Sequence, residues 1–426
     1  MSIQGVRLLV AAQFVSGLAD NALLVVAIAC LMQRGEAAWL VPLLKLVFTV
    51  AYVVLAPCVG VVADRWPKER VMLGANVLKA CAALAMLLGL HPLAAFCLAG
   101  PGAACYSPAK YGLVTERVPA AALVRANGWL EVSTVGAIIL GTALGGWLVS
   151  DGFAALWGDR TDAGEGGGLQ AALVAVVAVY LAAGVLNAFI PRRPAAGASS
   201  AWRLPALLAR FGVAQGVLWR DRAGGMSLAV TTLFWGAGAT LQFVVLAWAQ
   251  QSLSLGLDQA AYLQAVVAVG IAAGAALAGR CVALAQAPRV LPLGVLIGLA
   301  VPLMLLVESV AWAIPLLAAV GFAAGAFVVP MNALLQHRGH VLLSPGESIA
   351  VQNFNENLSV LLMLGAYTLL LALGWTTAGL IAALGLLVAG CTALAGWRWH
   401  RSLRALQPAD SEVPLQAAQA TSPHHP

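Results

Sequence analysis

Tyr106-Ser107-Pro108-Ala109-Lys110-Tyr111-Gly112 opens a polar stretch that continues through Arg125-Ala126-Asn127-Gly128-Trp129-Leu130-Glu131 and ends near Gly141. Apolar segments lie on both sides of it, so its lysine, asparagine and glutamate fall at or near the depth of a bilayer. An ionisable side chain at that depth costs roughly 2.5–3.5 kcal/mol on insertion scales, which makes such residues functional candidates. The rest of the sequence is therefore interpreted as the scaffold of this stretch.

The composition is that of an integral membrane protein. Of 426 residues, 62% are hydrophobic and only 9% are charged, whereas a soluble domain has about 25% charged residues. The net charge of +6 does not indicate nucleic-acid binding, because the basic residues concentrate in short loops between apolar segments. The seven cysteines form no CxxC pair, and the sequence has no P-loop, HExxH or GxSxG motif. We therefore expect no cofactor, no metal and no enzymatic activity.

The apolar runs predict an all-α polytopic membrane protein with twelve transmembrane helices. Loops on one side carry most of the lysines and arginines, and the opposite loops carry only Arg34 and Arg160 among several acids. By the positive-inside rule, the basic loops and both termini are cytoplasmic, which requires an even number of spans. The predicted spans are 6–32, 40–63, 71–90, 92–115, 123–149, 169–190, 226–250, 259–284, 290–307, 312–336, 347–371 and 376–398.

The longest polar interruption, 191–225, predicts a cytoplasmic central loop between two six-helix bundles, 1–190 and 226–400. Residues 401–426 become rich in proline, alanine and glutamine, which predicts a disordered cytoplasmic tail. Within the central loop, apolar residues lie between arginines from 202 to 222. Two interpretations of this segment stay open, an amphipathic helix on the inner leaflet and a solvated linker.

Weak internal similarity relates the two halves. Ser107-Pro108-x-Lys110 resembles Val329-Pro330-x-Asn332, and Asn127-x-x-x-Glu131 resembles Gln352-x-x-x-Glu356 at a nearly equal offset. Together with the twelve spans and the long central loop, these repeats resemble the major facilitator superfamily. Its architecture is two parallel repeats of six helices with a substrate site between them at the midplane.

The segment Gly60-Val61-Val62-Ala63-Asp64-Arg65 resembles the signature of that superfamily between spans two and three. Gly60 would allow close approach of two helices. Asp64 would pair with an arginine or a helix N-terminus of the other half, and so hold the cytoplasmic side closed. The residues to which we assign gating roles near this face are Gly60, Asp64, Arg65, Glu116, Arg117 and Arg125.

Asp20 lies in the middle of span one, next to Asn21, where a carboxylate cannot plausibly face lipid. Two interpretations stay open, and they do not exclude each other. Asp20 faces the central cavity, or it forms a structural salt bridge with Lys45, Lys79 or Lys110.

Lys110 follows Pro108, and a proline bends a helix and can shape a cavity wall. A lysine there suits an anionic phosphate, unless its side chain snorkels to the cytoplasmic interface. Glu131 and Glu356 have amides close by, which could satisfy the acid or bind an ammonium headgroup with it; proton carriage is a third role. The predicted cavity residues are Asp20, Asn21, Tyr106, Lys110, Asn127, Glu131, Gln242, Asn332, Gln352, Asn353 and Glu356.

Specific stretches spread over both halves point to one family. They are Ala12 to Ser16, Asp20 to Leu24, Ala104 to Gly112, Ala126 to Gly128 with Glu131, Leu233 to Gly238, Val328 to Gln336, and Ala350 to Asn353 with Glu356 and Asn357. Together they resemble the bacterial lysophospholipid transporter family of the major facilitator superfamily. The resemblance implies movement of lysophosphatidylethanolamine and lysophosphatidylglycerol from the outer to the inner side of the bacterial inner membrane. An acyltransferase partner would then restore the second acyl chain.

One position departs from this family. Its members carry arginine after Gly-x-Thr-Leu in span seven, where this sequence has Gln242. Either Gln242 forms a neutral hydrogen bond with Asp20, or the cation for Asp20 comes from Lys110 or elsewhere. The alternative function is that of a major facilitator exporter of drugs or amphipathic metabolites.

Overall fold

The computed structural model describes residues 3–37, 39–158, 167–191 and 203–404, and these residues form an all-helical protein. Of the predicted tail 401–426, residues 401–404 are helical rather than disordered and 405–426 lie outside the described residues, as do 159–166 and residues 192–202 of the predicted central loop. The α-helices are α1 Ile3–Gln33, α2 Leu40–Val54, α3 Ala56–Arg65, α4 Lys68–Leu87, α5 Pro92–Arg117, α6 Leu123–Leu148, α7 Asp151–Gly158, α8 Gly167–Ala188, α9 Leu204–Arg220, α10 Arg222–Ser252, α11 Leu257–Cys281, α12 Leu291–Ala300, α13 Val310–Leu342, α14 Pro345–Ala372 and α15 Thr377–Arg404.

The long apolar runs of the sequence become membrane-length helices. Within the described residues, ten helical segments are long and apolar enough to cross a membrane, and the bent pair of α2 and α3 makes an eleventh. The remaining predicted span is α5, which has 26 residues but contains two internal prolines and Lys110. A span needs about 20 residues, so α5 is long enough to cross. The all-helical polytopic fold is confirmed, and the count of twelve stays a prediction with α5 as the twelfth span.

The predicted span 40–63 is not one continuous helix. It consists of α2 and α3, whose axes differ by 67° around Leu55. Pro57 lies in the first turn of α3. A proline lacks the N–H that would continue a helix, and its ring clashes with the carbonyl four residues earlier. The bend turns α3 toward the other half, where it packs against α14.

The ends of the helices define two faces of the bundle. At one face α3, α5 and α13 end and α4, α6 and α14 begin. We call it the basic face, since the loops with most of the arginines and lysines lie there, and it is the face predicted to be cytoplasmic.

The apolar core shows where the two halves join. Away from the basic face each half has its own cluster, with Phe96 in one and Trp248 in the other. Toward the basic face a single cluster combines Leu123 of α6 with Ala275 of α11 and Val329 of α13. The halves therefore pack together at the basic face and leave room between them on the other side.

The central loop contains a packed helix. α9 lies within the predicted loop 191–225, and α10 begins at Arg222 rather than at 226. Leu207, Ala214 and Leu218 of α9 are buried. The described part of this segment is therefore a helix and not a plain solvated linker, while the predicted domain limits stay predictions.

Candidate functional site

A cavity of about 430 Å³ lies between the two halves. Its wall is formed by α1, α2, α4, α5 and α6 on one side and by α10 and α14 on the other. Leu24, Ile138 and Val360 give it apolar surface on the side away from the basic face. The predicted cavity residues that line it are Asp20, Asn21, Tyr106, Lys110, Asn353 and Glu356.

Asp20 is held by a buried lysine on α4. Lys79 Nζ lies 2.8 Å from Asp20 Oδ2, and the Tyr180 hydroxyl donates a hydrogen bond of 2.8 Å to Asp20 Oδ1. Lys79 also donates to Ser16 Oγ at 3.2 Å. Lys79 is 1% exposed, but 27% of the Asp20 side chain is exposed. Of the three lysines that the sequence left open, Lys79 is the partner, and the acid still faces the cavity.

Lys110 and Glu356 place a basic and an acidic side chain on the two sides of the cavity. Lys110 Nζ lies 4.2 Å from the centroid of the Tyr111 ring, and the residue lines the cavity wall. Glu356 Oε1 accepts a hydrogen bond of 2.8 Å from Gln352 Nε2, which is one of the amide contacts that the sequence left open. The site can therefore contact a cation and an anion at once.

The wall carries an excess of positive charge. Lys79 is neutralised by Asp20, so Lys45 and Lys110 face the cavity against Glu356. A lysine binds a phosphate as a point charge, and a cavity lined by one sign of charge raises the local concentration of the opposite ion. The cavity therefore favours a phosphate and still offers a carboxylate to an ammonium group.

Other predicted cavity residues lie behind the wall. Asn127 and Gln336 exchange two side-chain hydrogen bonds, of 2.9 and 3.0 Å, between α6 and α13. Asn332 Oδ1 accepts from Gln352 Nε2 at 3.2 Å. Glu131 is buried and interacts electrostatically with Lys110. These residues support the wall, and Asn127 joins the two halves rather than contacting Glu131.

Gln242 lies on the exposed surface of α10. Its backbone carbonyl accepts a hydrogen bond of 2.6 Å from Gln264 Nε2. No hydrogen bond joins Gln242 to Asp20 in the part of the chain that the structure describes. Of the two alternatives for Asp20, the structure has the second, with Lys79 as the cation. Gln242 was predicted to line the cavity, but it is not among the described residues of the wall.

Asp64 joins the two halves at the basic face. Its carboxylate accepts hydrogen bonds from the N–H of Gly346 at 2.8 Å and of Glu347 at 3.3 Å, in the first turn of α14. Ser344 Oγ donates to it at 2.6 Å. A carboxylate at a helix N-terminus is stabilised by the unpaired N–H groups and by the helix dipole. Asp64 thus forms the contact that the sequence predicted, and its role in gating stays a prediction.

Ion pairs surround this junction on the same face. Lys68 Nζ lies 2.6 Å from Glu116 Oε1 and 3.7 Å from Asp64 Oδ1. Arg117 donates to the carbonyl of Pro191 at 2.6 Å and lies 4.0 Å from Glu69. These contacts join α3, α4 and α5 within one half.

Two predicted gating residues are exposed, Arg65 and Arg125. The backbone of Arg125 lies against Gly279, where α6 and α11 of the two halves approach closely. α11 thus makes the second junction between the halves at the basic face. Arg125 therefore lies beside that junction.

Residues of the second half were missed by the sequence reasoning. Glu347 forms an ion pair with Arg210 of α9, and Asp221 caps α10 by accepting from the Gly224 N–H at 2.7 Å. Arg338 donates to both oxygens of Asp221, at 2.9 and 2.5 Å. An acid just before the apolar start of α10 is a helix N-cap signal, and it was available in the sequence.

The Asp221–Arg338 pair predicts a pH dependence of stability. Hydrogen bonds from Arg338 lower the pKa of Asp221 below its ordinary value. A carboxyl with a lowered pKa in the folded state stabilises the fold above its unfolded pKa, and this contribution is lost as the pH falls through the folded pKa. We expect the thermal advantage of wild type over Asp221→Asn to be present at pH 6 and to shrink as the pH falls below about 4. The unfolding temperatures of both proteins in detergent measure this advantage. A difference between them that does not change with pH would contradict the proposed role of the Asp221–Arg338 pair.

Comparisons with known proteins agree with this architecture. The sequence profile of the Major Facilitator Superfamily matches residues 9–343. The lysophospholipid transporter LplT of Salmonella arizonae is 42% identical over 400 residues, which cover 93% of this chain and 96% of that protein. LplT of Yersinia pestis (strain Pestoides F) is 44% identical over 365 residues, which cover 85% and 86%.

Solved structures with low sequence identity share the fold. The human organic anion transporter MFSD10 (TETRAN) has a TM-score of 0.68 at 17% identity, covering 92% of this chain and 98% of that chain. FucP, a Major Facilitator Superfamily transporter in the outward conformation, has a TM-score of 0.70 at 14% identity, covering 94% and 98%.

Two helical halves around a cavity, with the profile match, define a transporter-type membrane protein of the Major Facilitator Superfamily. Within that superfamily, this chain belongs to the lysophospholipid transporter LplT family, since relatives of that name are 42–44% identical over most of its length. The predicted family and fold are confirmed.

Proposed function

We propose that this protein transports lysophospholipids by binding them in the cavity between its halves. The observation that carries the proposal is the chemistry of the wall, which combines lysines, the acids Asp20 and Glu356, and an apolar surface. A lysophospholipid has a phosphate, in some cases an ammonium group, and a single acyl chain. Its parts match the parts of this wall, and the family relationship agrees with the match.

The headgroup would bind near the floor of the cavity. Lys110 would contact the phosphate, and Glu356 would contact the ammonium of lysophosphatidylethanolamine. Lysophosphatidylglycerol lacks the ammonium but carries the same phosphate, so Lys110 would serve both substrates. The acyl chain would lie along the apolar surface that Leu24, Ile138 and Val360 provide.

The direction of transport is proposed from the sequence and the conformation. The basic face is closed by the Asp64 contact, and the cavity reaches toward the opposite face. If the basic face is cytoplasmic, substrate enters from the outer leaflet of the bacterial inner membrane and leaves on the cytoplasmic side. An acyltransferase partner there would complete the lipid by adding the missing chain.

The function is tested in proteoliposomes with lysophosphatidylethanolamine labelled on its acyl chain. Albumin extracts lysolipid from the outer surface, so the fraction that resists extraction measures transport. We expect this fraction to rise with time above that of protein-free vesicles. Equal rates with and without protein would refute the proposal, and export of amphipathic drugs without lysolipid transport would favour a drug exporter instead.

Replacing Lys110 is expected to weaken substrate binding. Lys110→Met keeps the length of the side chain but removes the charge, and a hydrogen bond to a charged group contributes roughly 1.5–3 kcal/mol. This predicts a KM for lysophosphatidylglycerol that is higher by roughly 10- to 100-fold, measured by initial rates. Lys110→Arg should retain most of the affinity because it keeps the charge. An unchanged KM in Lys110→Met would remove Lys110 from the binding site.

A further inference from the structure

α9 has apolar side chains on its buried side and also on its exposed surface. One side is buried against the bundle, as expected for a helix that packs on a protein. The other side is exposed and also apolar. A helix that is apolar all round is normally buried in a protein core or in a membrane. The exposed apolar residues are Leu204, Leu208, Val213 and Trp219, with 61, 51, 66 and 43% exposure.

The contacts of α9 fix its depth along the bundle. Arg210 pairs with Glu347 in the first turn of α14, and Gln215 accepts from Asn355 Nδ2 at 2.9 Å. Asn355 lies about ten residues, or about 15 Å, along α14 from Pro345. α14 has 28 residues, so it is about 12 Å longer than a hydrocarbon core of about 30 Å. The side of α9 that contacts α14 therefore lies at the boundary between headgroups and acyl chains of one leaflet.

α9 lies across the junction of the two halves. Its N-terminal part, with Leu207 and Phe211, lines a groove beside Gly60 of α3. Its C-terminal part, with Leu218, packs in a cluster with Leu335 of α13. The helix thus covers the α3–α14 junction from outside the bundle.

Basic residues flank the exposed apolar side. Arg203 immediately precedes α9, Arg220 ends it, and both are exposed. Helices that lie in the plane of a membrane combine an apolar side with basic residues, and they bind anionic lipids. The charge of this helix is therefore complementary to a leaflet that contains anionic phospholipid.

We infer that α9 is an in-plane membrane helix, with its exposed apolar side inserted in the leaflet at the basic face and anionic headgroups bound by Arg203 and Arg220. This placement depends on the fold and not on the transported substrate. Through Arg210 and Glu347 the helix is also tied to the first turn of α14, which holds Asp64. A chain of contacts therefore runs from the lipid leaflet through α9 to the α3–α14 junction.

The test uses the full chain with its seven native cysteines replaced and one cysteine introduced at Val213. A bimane fluorophore is attached to this cysteine, and the protein is reconstituted in vesicles of phosphatidylcholine and phosphatidylglycerol. Two quenchers are then compared, doxyl-labelled lipid in the membrane and iodide in the water. We expect doxyl lipid to quench the fluorophore and iodide to have little effect. Ala121→Cys, on the exposed turn before α6, is the aqueous control, and Leu369→Cys, exposed on α14, is the lipid control.

The binding of anionic lipid near α9 is measured with the same fluorophore. Doxyl-labelled phosphatidylglycerol should be enriched near Val213 over doxyl-labelled phosphatidylcholine by roughly fivefold per arginine. The enrichment should disappear in Arg203→Gln/Arg220→Gln. Quenching by iodide as strong as at Ala121 would place α9 in water and overturn the inference. Protection from both quenchers would overturn it as well, because protein would then cover this side.

Discussion

Replacing Gly346 with valine is expected to slow transport by roughly 5- to 150-fold, because the basic face could no longer close as it does here. A Cβ at Gly346 would lie 2.7 Å from the carboxyl carbon of Asp64 and would also meet the carbonyl oxygen of Gly60. The Gly60 oxygen belongs to the backbone, and the Asp64 carboxylate is held in place by its hydrogen bond from the Gly346 N–H. Inserting atoms into such a contact costs about 1–3 kcal/mol, and the closed state loses population accordingly.

Gly365→Val is the matched control for this variant. Gly365 lies in the same helix, and a Cβ there meets no heavy atom within 4 Å among the described residues. Initial rates of lysophosphatidylethanolamine uptake should fall for Gly346→Val and stay unchanged for Gly365→Val. A cysteine at Ser107, on the cavity floor, should also react faster with an impermeant reagent added at the basic face. Equal rates and equal reactivity in both variants would exclude this contact from the gate.

Asp64 shows how much of the gate could be predicted from the sequence. An acid at the end of an apolar helix needs a positive partner, and the resemblance to the superfamily signature placed that partner in the other half. The sequence could not choose between an arginine and a helix N-terminus, because both offer positive charge to a carboxylate. Ser344 and Glu347 complete the contact, and only the packing of α3 against α14 brings them to Asp64.

The choice of Lys79 as the partner of Asp20 and the position of α9 could not be predicted from the sequence. Three lysines had the right charge and an apolar setting, and periodicity along one helix does not tell which neighbouring helix a side chain meets. The bend around Leu55 was missed for a related reason, since prolines are tolerated in many membrane helices and break only some of them. The position of α9 depends on contacts with α3, α13 and α14, which are distant in sequence.

Removing the charge of Lys79 is expected to destabilise the protein and to abolish most transport. Lys79→Met would leave the Asp20 carboxylate with only Tyr180 as a strong partner among its described contacts. Breaking a buried pair from one side costs about 3–5 kcal/mol, and we expect the lower end because 27% of the Asp20 side chain is exposed. Thermal unfolding in detergent should show a midpoint several degrees lower than that of wild type.

The double variant Asp20→Asn/Lys79→Met separates the structural role of the pair from its role in the cavity. Removing both charges leaves no uncompensated ion, so most of the thermal stability should return. Transport should stay low, because the acid that faces the cavity is gone. Lys45→Met is the control, since Lys45 lines the same cavity but is exposed. If Lys79→Met were as stable as Lys45→Met, the pair would contribute little to the fold, and recovery of transport in the double variant would limit Asp20 to a structural role.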